Sequence, residues 1–129
     1  MKNLAIASLS FLLAVLCASC AHDASIPKVD RSPNLDLSPI AKRFGVPRCK
    51  VSVPLTQEQV LLAAKRQGDP YTEKRPEWAT IKREAKPGDQ LRQVICLTTG
   101  PQGYAAGDVF YGLFRRGKMV AEMHTIIIN

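Results

Sequence analysis

Residues 108–114, Asp-Val-Phe-Tyr-Gly-Leu-Phe, limit the fold more than any other stretch of this chain. Strand alternation sets Val109, Tyr111 and Leu113 on one side and Phe110, Gly112 and Phe114 on the other. A strand with large apolar side chains on both sides belongs in a sheet whose two faces are both covered. Helices must cover one face. The other needs the N-terminal segment, a partner or a second copy.

The flanking sequence supplies the rest of such a sheet. Residues 90–98 read as a strand, residues 99–107 as a glycine-containing loop and residues 119–128 as the last strand, with Arg115-Arg116-Gly117-Lys118 as the hairpin turn. The closing Ile126-Ile127-Ile128 run is too apolar for an exposed edge, so it is expected as an inner strand or one that accepts a partner strand. Upstream, residues 49–53 alternate as a short half-buried strand that Pro54 ends.

Helix signals lie between these strands. Thr56 and Gln59 have the spacing of a capping box, and Leu55 and Val60 that of a hydrophobic staple, so a helix is predicted from Gln57. Lys65 and Arg66 complement its C-terminal dipole, and Gly68 with Pro70 closes it. Pro76 at a first helical position, with Trp78, Ile81 and Ala85 at helical spacing, predicts a second helix to about Lys86; a strand over 77–84 is the alternative. Ser38 as N-cap, Pro39 and Gly45 frame one further helical turn, and Pro87-Gly88-Asp89 is a turn. The expected fold class is α+β: a short N-terminal strand and two helices packed on a three-stranded antiparallel meander.

Lys2 precedes residues 4–16, which are apolar apart from Ser8 and Ser10, in the order of a secretory signal. A membrane-spanning helix needs about 20 apolar residues, and this run stops short of that. Ala18 and Ser19 directly before Cys20 resemble the lipobox of bacterial lipoproteins. The resemblance implies a diacylglycerol on the Cys20 thiol, cleavage just ahead of it and acyl chains, palmitate among them, at the mature N-terminus. Ala21, where an Asp would retain such a protein at the inner membrane, implies an outer-membrane lipoprotein facing the periplasm in a Gram-negative host. The alternatives are an ordinary signal peptide cut after Ala21, giving a soluble periplasmic or secreted protein, and an uncleaved anchor. Residues 1–19 are thus read as signal peptide, 20–37 as a flexible tether with two prolines and mixed charge, and 38–129 as a small domain.

Of 129 residues, about 109 remain after such cleavage, enough for one domain. The net charge of +7 is concentrated in that domain: residues 41–129 hold fifteen bases and eight acids, residues 21–40 two and three. Export removes nucleic acid as the expected partner. The anionic partners left are the membrane, reached through the lipid anchor, an anionic envelope component or an acidic protein. Cys49 and Cys96, in an oxidising compartment, are expected to pair. Closing that loop is worth about 4 kcal/mol in loop entropy.

Residues 78–120 run as a Trp-bearing helix, a Pro-Gly-Asp turn, a strand, a glycine loop, a strand and an Arg-Gly-Lys hairpin. That order resembles small uncharacterised bacterial proteins, which supply no activity to carry over. In element order the chain is more loosely similar to small outer-membrane lipoproteins, such as the assembly-machine accessory lipoprotein, and to β-lactamase-inhibitor-like modules.

His124 and Glu122 fall on one face of the last strand, as an acid–base pair would. No nucleophile motif, metal-ligand set or phosphate loop accompanies them, so no catalytic residue, metal or cofactor is assigned. Arg115, Arg116 and Lys118, flanked by Phe114 and Met119, form the candidate partner-binding patch. The expected function is a non-catalytic envelope lipoprotein whose basic domain binds a protein partner in an inhibitor, immunity or exclusion role. The alternatives are a structural or assembly accessory of the outer membrane or cell wall, and a small secreted hydrolase using His124.

Overall fold

The computed structural model describes residues 27–99 and 105–125. The elements are α1 (Ser38–Arg43), β1 (Lys50–Val51), α2 (Gln57–Arg66), a 3-10 turn (Thr72–Lys74), α3 (Pro76–Glu84), β2 (Gln90–Thr99), β3 (Ala105–Arg115) and β4 (Lys118–His124). The strands form one antiparallel sheet in the order β1-β2-β3-β4. The class is α+β as the sequence predicts, and the short strand expected at residues 49–53 joins the three-stranded meander in one four-stranded sheet. That strand is β1, which pairs Lys50 with Ile95 and Val51 with Val94.

Both faces of the sheet are covered. On one, Leu91, Tyr111, Leu113 and Met123 pack against Val60, Ala63 and Ala64 of α2 and Trp78 and Ile81 of α3. On the other, Val94, Cys96, Phe110 and Phe114 pack against Ile40 and Ala41 of α1, together with Val46, Cys49 and Val51. Phe110 and Tyr111 are adjacent in sequence, on opposite faces, and both fully buried. The alternation through residues 108–114 therefore anchors two cores from one strand.

The local signals explain the helix face. The Thr56 side chain accepts from the Gln59 N–H while the Gln59 side chain accepts from the Thr56 N–H, closing the capping box. Pro76 starts α3, which stops at Glu84 rather than running to Lys86 because Ala85 is already extended. The Lys86 N–H then donates to Asp89, and Gly88 takes a φ of +88° in the turn.

The second face differs from the expectation. Residues 27–37, read as part of a flexible tether, lie along the domain as a strap. Pro27 is buried, Val29 bridges to Ser52, and Leu35 and Leu37 pack on the core. The Val53 N–H donates to the Lys28 carbonyl and the Asp30 N–H to the Val51 carbonyl, so the strap shields the outer side of β1. The strap, rather than a second copy, is what continues into α1 over this face. Ser38 is not the cap of α1: Leu37 occupies that position, and the Ser38 N–H is taken by the Asp36 carboxylate.

Cys49 and Cys96 form a disulfide across β1 and β2, with Cα atoms 4.4 Å apart. Among the described strands β4 is an edge. The closing isoleucines expected as an inner strand lie outside the described residues, as do Cys20 and the signal segment; Thr125 itself is buried and its hydroxyl donates to the Val109 carbonyl. No described helix is long and apolar enough to cross a membrane.

Candidate functional site

The three residues predicted for the basic tip separate into different roles. Arg115 is tied down. Its Nε and Nη2 donate to the two Asp89 carboxylate oxygens at 2.9 and 2.7 Å, and Nη2 also donates to the Glu84 carbonyl. This fork joins the end of β3 to the turn after α3. The Arg115 hydrogen bond holds the Asp89 carboxyl below its usual range, and Asp89 in turn raises the Arg115 guanidinium. Arg115 is therefore a structural clamp and not part of an exposed patch.

Arg116 and Lys118 are exposed, and neither enters an ion pair among the described residues. Arg115 pairs with Lys118, leaving Arg116 and Gly117 as a two-residue hairpin loop with φ of +50° and +79°. Two positive φ values are the pattern of a type I′ turn, whose favoured sequence is Asn-Gly. Arg116 is the one described non-glycine residue in that backbone region. Left-handed backbone costs such a residue about 1–2 kcal/mol relative to the right-handed form.

The strap docks onto this loop. The Asp36 N–H donates to the Gly117 carbonyl, and a Cβ on Gly117 would stand 3.5 Å from the Asn34 carbonyl oxygen. Between strap and loop a cleft of about 240 Å³ opens, lined by Asn34, Leu35, Gln90, Arg92, Phe114 and Arg116.

Arg92 is the buried charge of this region, with 5% of its surface exposed. Its Nη1 donates to Asp30 at 2.7 Å and to the Ser52 carbonyl at 2.9 Å, while Nε and Nη2 both donate to the Gln90 side-chain oxygen. The hydrogen bond from Arg92 holds the Asp30 carboxyl below its usual range. A guanidinium has five N–H donors, so one on Nη2 has no acceptor among the described residues. The sequence carries one signal for Arg92 that the expected site residues do not include: it occupies the alternation phase of Val94 and Cys96, where a charge needs partners.

The Glu122 and His124 pair predicted on one face does meet, with Glu122 Oε1 3.5 Å from His124 Nε2. The other Glu122 oxygen accepts from Arg43 at 2.6 Å. The imidazole stacks on Phe110 with ring centroids 4.6 Å apart and lies 6.0 Å from the ring of Phe44. The pair joins β4 to α1 at the rim of the strap face.

A second buried ion pair sits on the helix side, where Arg75 Nε stands 3.0 Å from Asp69 Oδ2. Arg75 Nη1 also donates to the His124 carbonyl, which ties the start of α3 to the end of β4. Tyr111 and Gln93 form the polar element of the helix-face core, the Gln93 amide donating to the Tyr111 hydroxyl at 3.4 Å. Burial pushes the Tyr111 phenol up to about 12.

Among the described residues no group of three or more His, Cys, Asp and Glu side chains is placed to hold a metal ion. No protein-family model matches the chain, and neither a curated protein nor a solved structure matches it.

Proposed function

We propose that this chain is a non-catalytic envelope lipoprotein, anchored through Cys20, whose basic α+β domain binds an acidic protein partner in an inhibitor, immunity or exclusion role. The observation that carries the reading is the β3–β4 loop, where Arg116 and Lys118, two cations with no ion-pair partner among the described residues, project beside the arginine that holds the loop in place. Exposed charge of one sign steers an oppositely charged partner and fixes its orientation. The leader, with Ala18 and Ser19 before Cys20, supports the anchor and the envelope location.

The test is recovery of a stoichiometric partner from solubilised envelope with tagged full-length chain, compared with the Arg116→Glu and Lys118→Glu variants. Loss of that partner on charge reversal, and on raising salt, is the expected result. Retention by both variants would sink the assignment of the patch. The mass of the mature N-terminus from membrane fractions checks the anchor: acyl chains on Cys20 are expected, and their absence removes it.

A further inference from the structure

We infer that the cleft between the strap and the β3–β4 loop is a binding site for a phosphate group. This goes beyond the partner-binding reading and stands without it, although both use Arg116. The cleft is lined by Arg92, a nearly fully buried guanidinium with one Nη2 donor uncommitted among the described residues after Asp30, Ser52 and Gln90 take the other four. Gln90 gives its side-chain oxygen to Arg92, which leaves its amide N–H groups uncommitted among the described hydrogen bonds. Arg116 lines the same space from the loop.

The charge balance favours an anion. Asp30 offsets Arg92 and Asp89 offsets Arg115, while Asp36, which keeps its charge as it accepts from the Ser38 backbone, does not line the cleft, so among the described residues Arg116 is the unmatched charge in its lining. Donors from β2 and from the loop suit an acceptor with oxygens in several directions, as a tetrahedral phosphate has. A planar carboxylate presents two. Leu35 and Phe114 add apolar wall for the carbon skeleton that carries the phosphate.

The backbone gives a second, independent reason. Asn at position 116 would complete the Asn-Gly sequence that this turn favours, yet the chain holds an arginine there at φ +50°. An unfavourable residue retained in a strained position points to a use for its side chain. Lining this cleft is the use visible in the structure.

The test uses the detergent-solubilised full chain titrated with sodium phosphate, against chloride at matched ionic strength. Saturable amide shifts at Gly88, Gln90 and Gly117 and a rising Tm are expected. Arg116→Asn should raise the Tm of the ligand-free chain and weaken phosphate binding about tenfold or more, the loss of one charge-assisted contact. Opposite changes in stability and affinity separate this outcome from a misfolded variant. Lys118 does not line the cleft, so Lys118→Glu should lose the protein partner while keeping phosphate affinity within about threefold, as a screened neighbouring charge would. Unsaturable shifts, or equal affinity in wild type and Arg116→Asn, would overturn the site. Vesicles of phosphatidylcholine with and without phosphatidic acid then name the source. Arg116-dependent competition by the phosphatidic acid vesicles assigns a lipid headgroup, and phosphate binding without such competition assigns a soluble phosphate; either supports the site.

Discussion

The two faces of the sheet are covered by different means, and the difference separates what is encoded locally from what is not. The helix face is built by α2 and α3, each started by a signal within a few residues of its own end, the Thr56–Gln59 box and Pro76. The strap face has one six-residue helix and irregular chain. It is held by contacts between residues far apart in sequence: Cys49 to Cys96, Asp30 to Arg92 and Arg43 to Glu122. Both faces rest on apolar packing, one against two helices with local start signals and the other with a covalent staple and ion pairs between distant residues added to it.

The largest expected break is on the helix face. Trp78 is 1% exposed, and Trp78→Ala should cost up to about 5 kcal/mol in denaturant unfolding, through lost transfer energy and the cavity left behind. A cost below about 2 kcal/mol would show that this core is not what holds α3 to the sheet.

On the strap face the corresponding break is the disulfide. Replacing Cys49 and Cys96 together by Ala should cost about 4 kcal/mol, since the bond closes a loop with a sequence separation of 47. Hydrogen exchange should rise first at the Val53 and Asp30 amides, which tie the strap to β1, and last in α2. Equal acceleration on both faces would erase the distinction drawn here.

Proton binding sharpens the same contrast at two residues, Tyr111 on the helix face and Asp30 on the strap face, which respond to opposite ends of the pH scale. Tyr111 on the helix face has its phenol raised to about 12, so its contribution is complete below pH 10 and is lost as pH rises from about 10 toward 12. Two pH units correspond to about 3 kcal/mol, and Tyr111→Phe should remove that alkaline slope from the stability curve. Asp30 on the strap face has its carboxyl lowered by Arg92, so its contribution is present above the ordinary value of 3.8 and fades as pH falls below it. Asp30→Asn should flatten that acid slope and raise exchange in the strap while leaving α2 and α3 unchanged. This is the smallest effect of the set, and it is local.

Legibility in the sequence followed the same division. The capping box, the Pro76 start, the Pro-Gly-Asp turn and the hairpin are all read within a few residues, and each is found close to where it was expected. The need for cover on both faces was legible from residues 108–114, but the identity of the cover was not. Residues 27–37 have no sustained periodicity, and what docks them is single side chains, Pro27, Leu35 and Leu37, and backbone bonds to β1. Such contacts leave no pattern along the chain. The candidate patch was half legible for a related reason. Arg115, Arg116 and Lys118 look alike as a basic run, and only the tertiary position of Asp89 distinguishes the clamped arginine from the free one.

On the proposed anchoring at Cys20, the docked strap also limits how far the domain reaches from the lipid. The first described residue of the strap is Pro27, seven residues beyond Cys20, and any seven residues span at most about 25 Å. Undocked as far as Ser38, the same segment would reach about 60 Å. With such an anchor, the Asp30–Arg92 contact would act as a stay on a leash, deciding whether the basic domain works close to the lipid surface or well away from it.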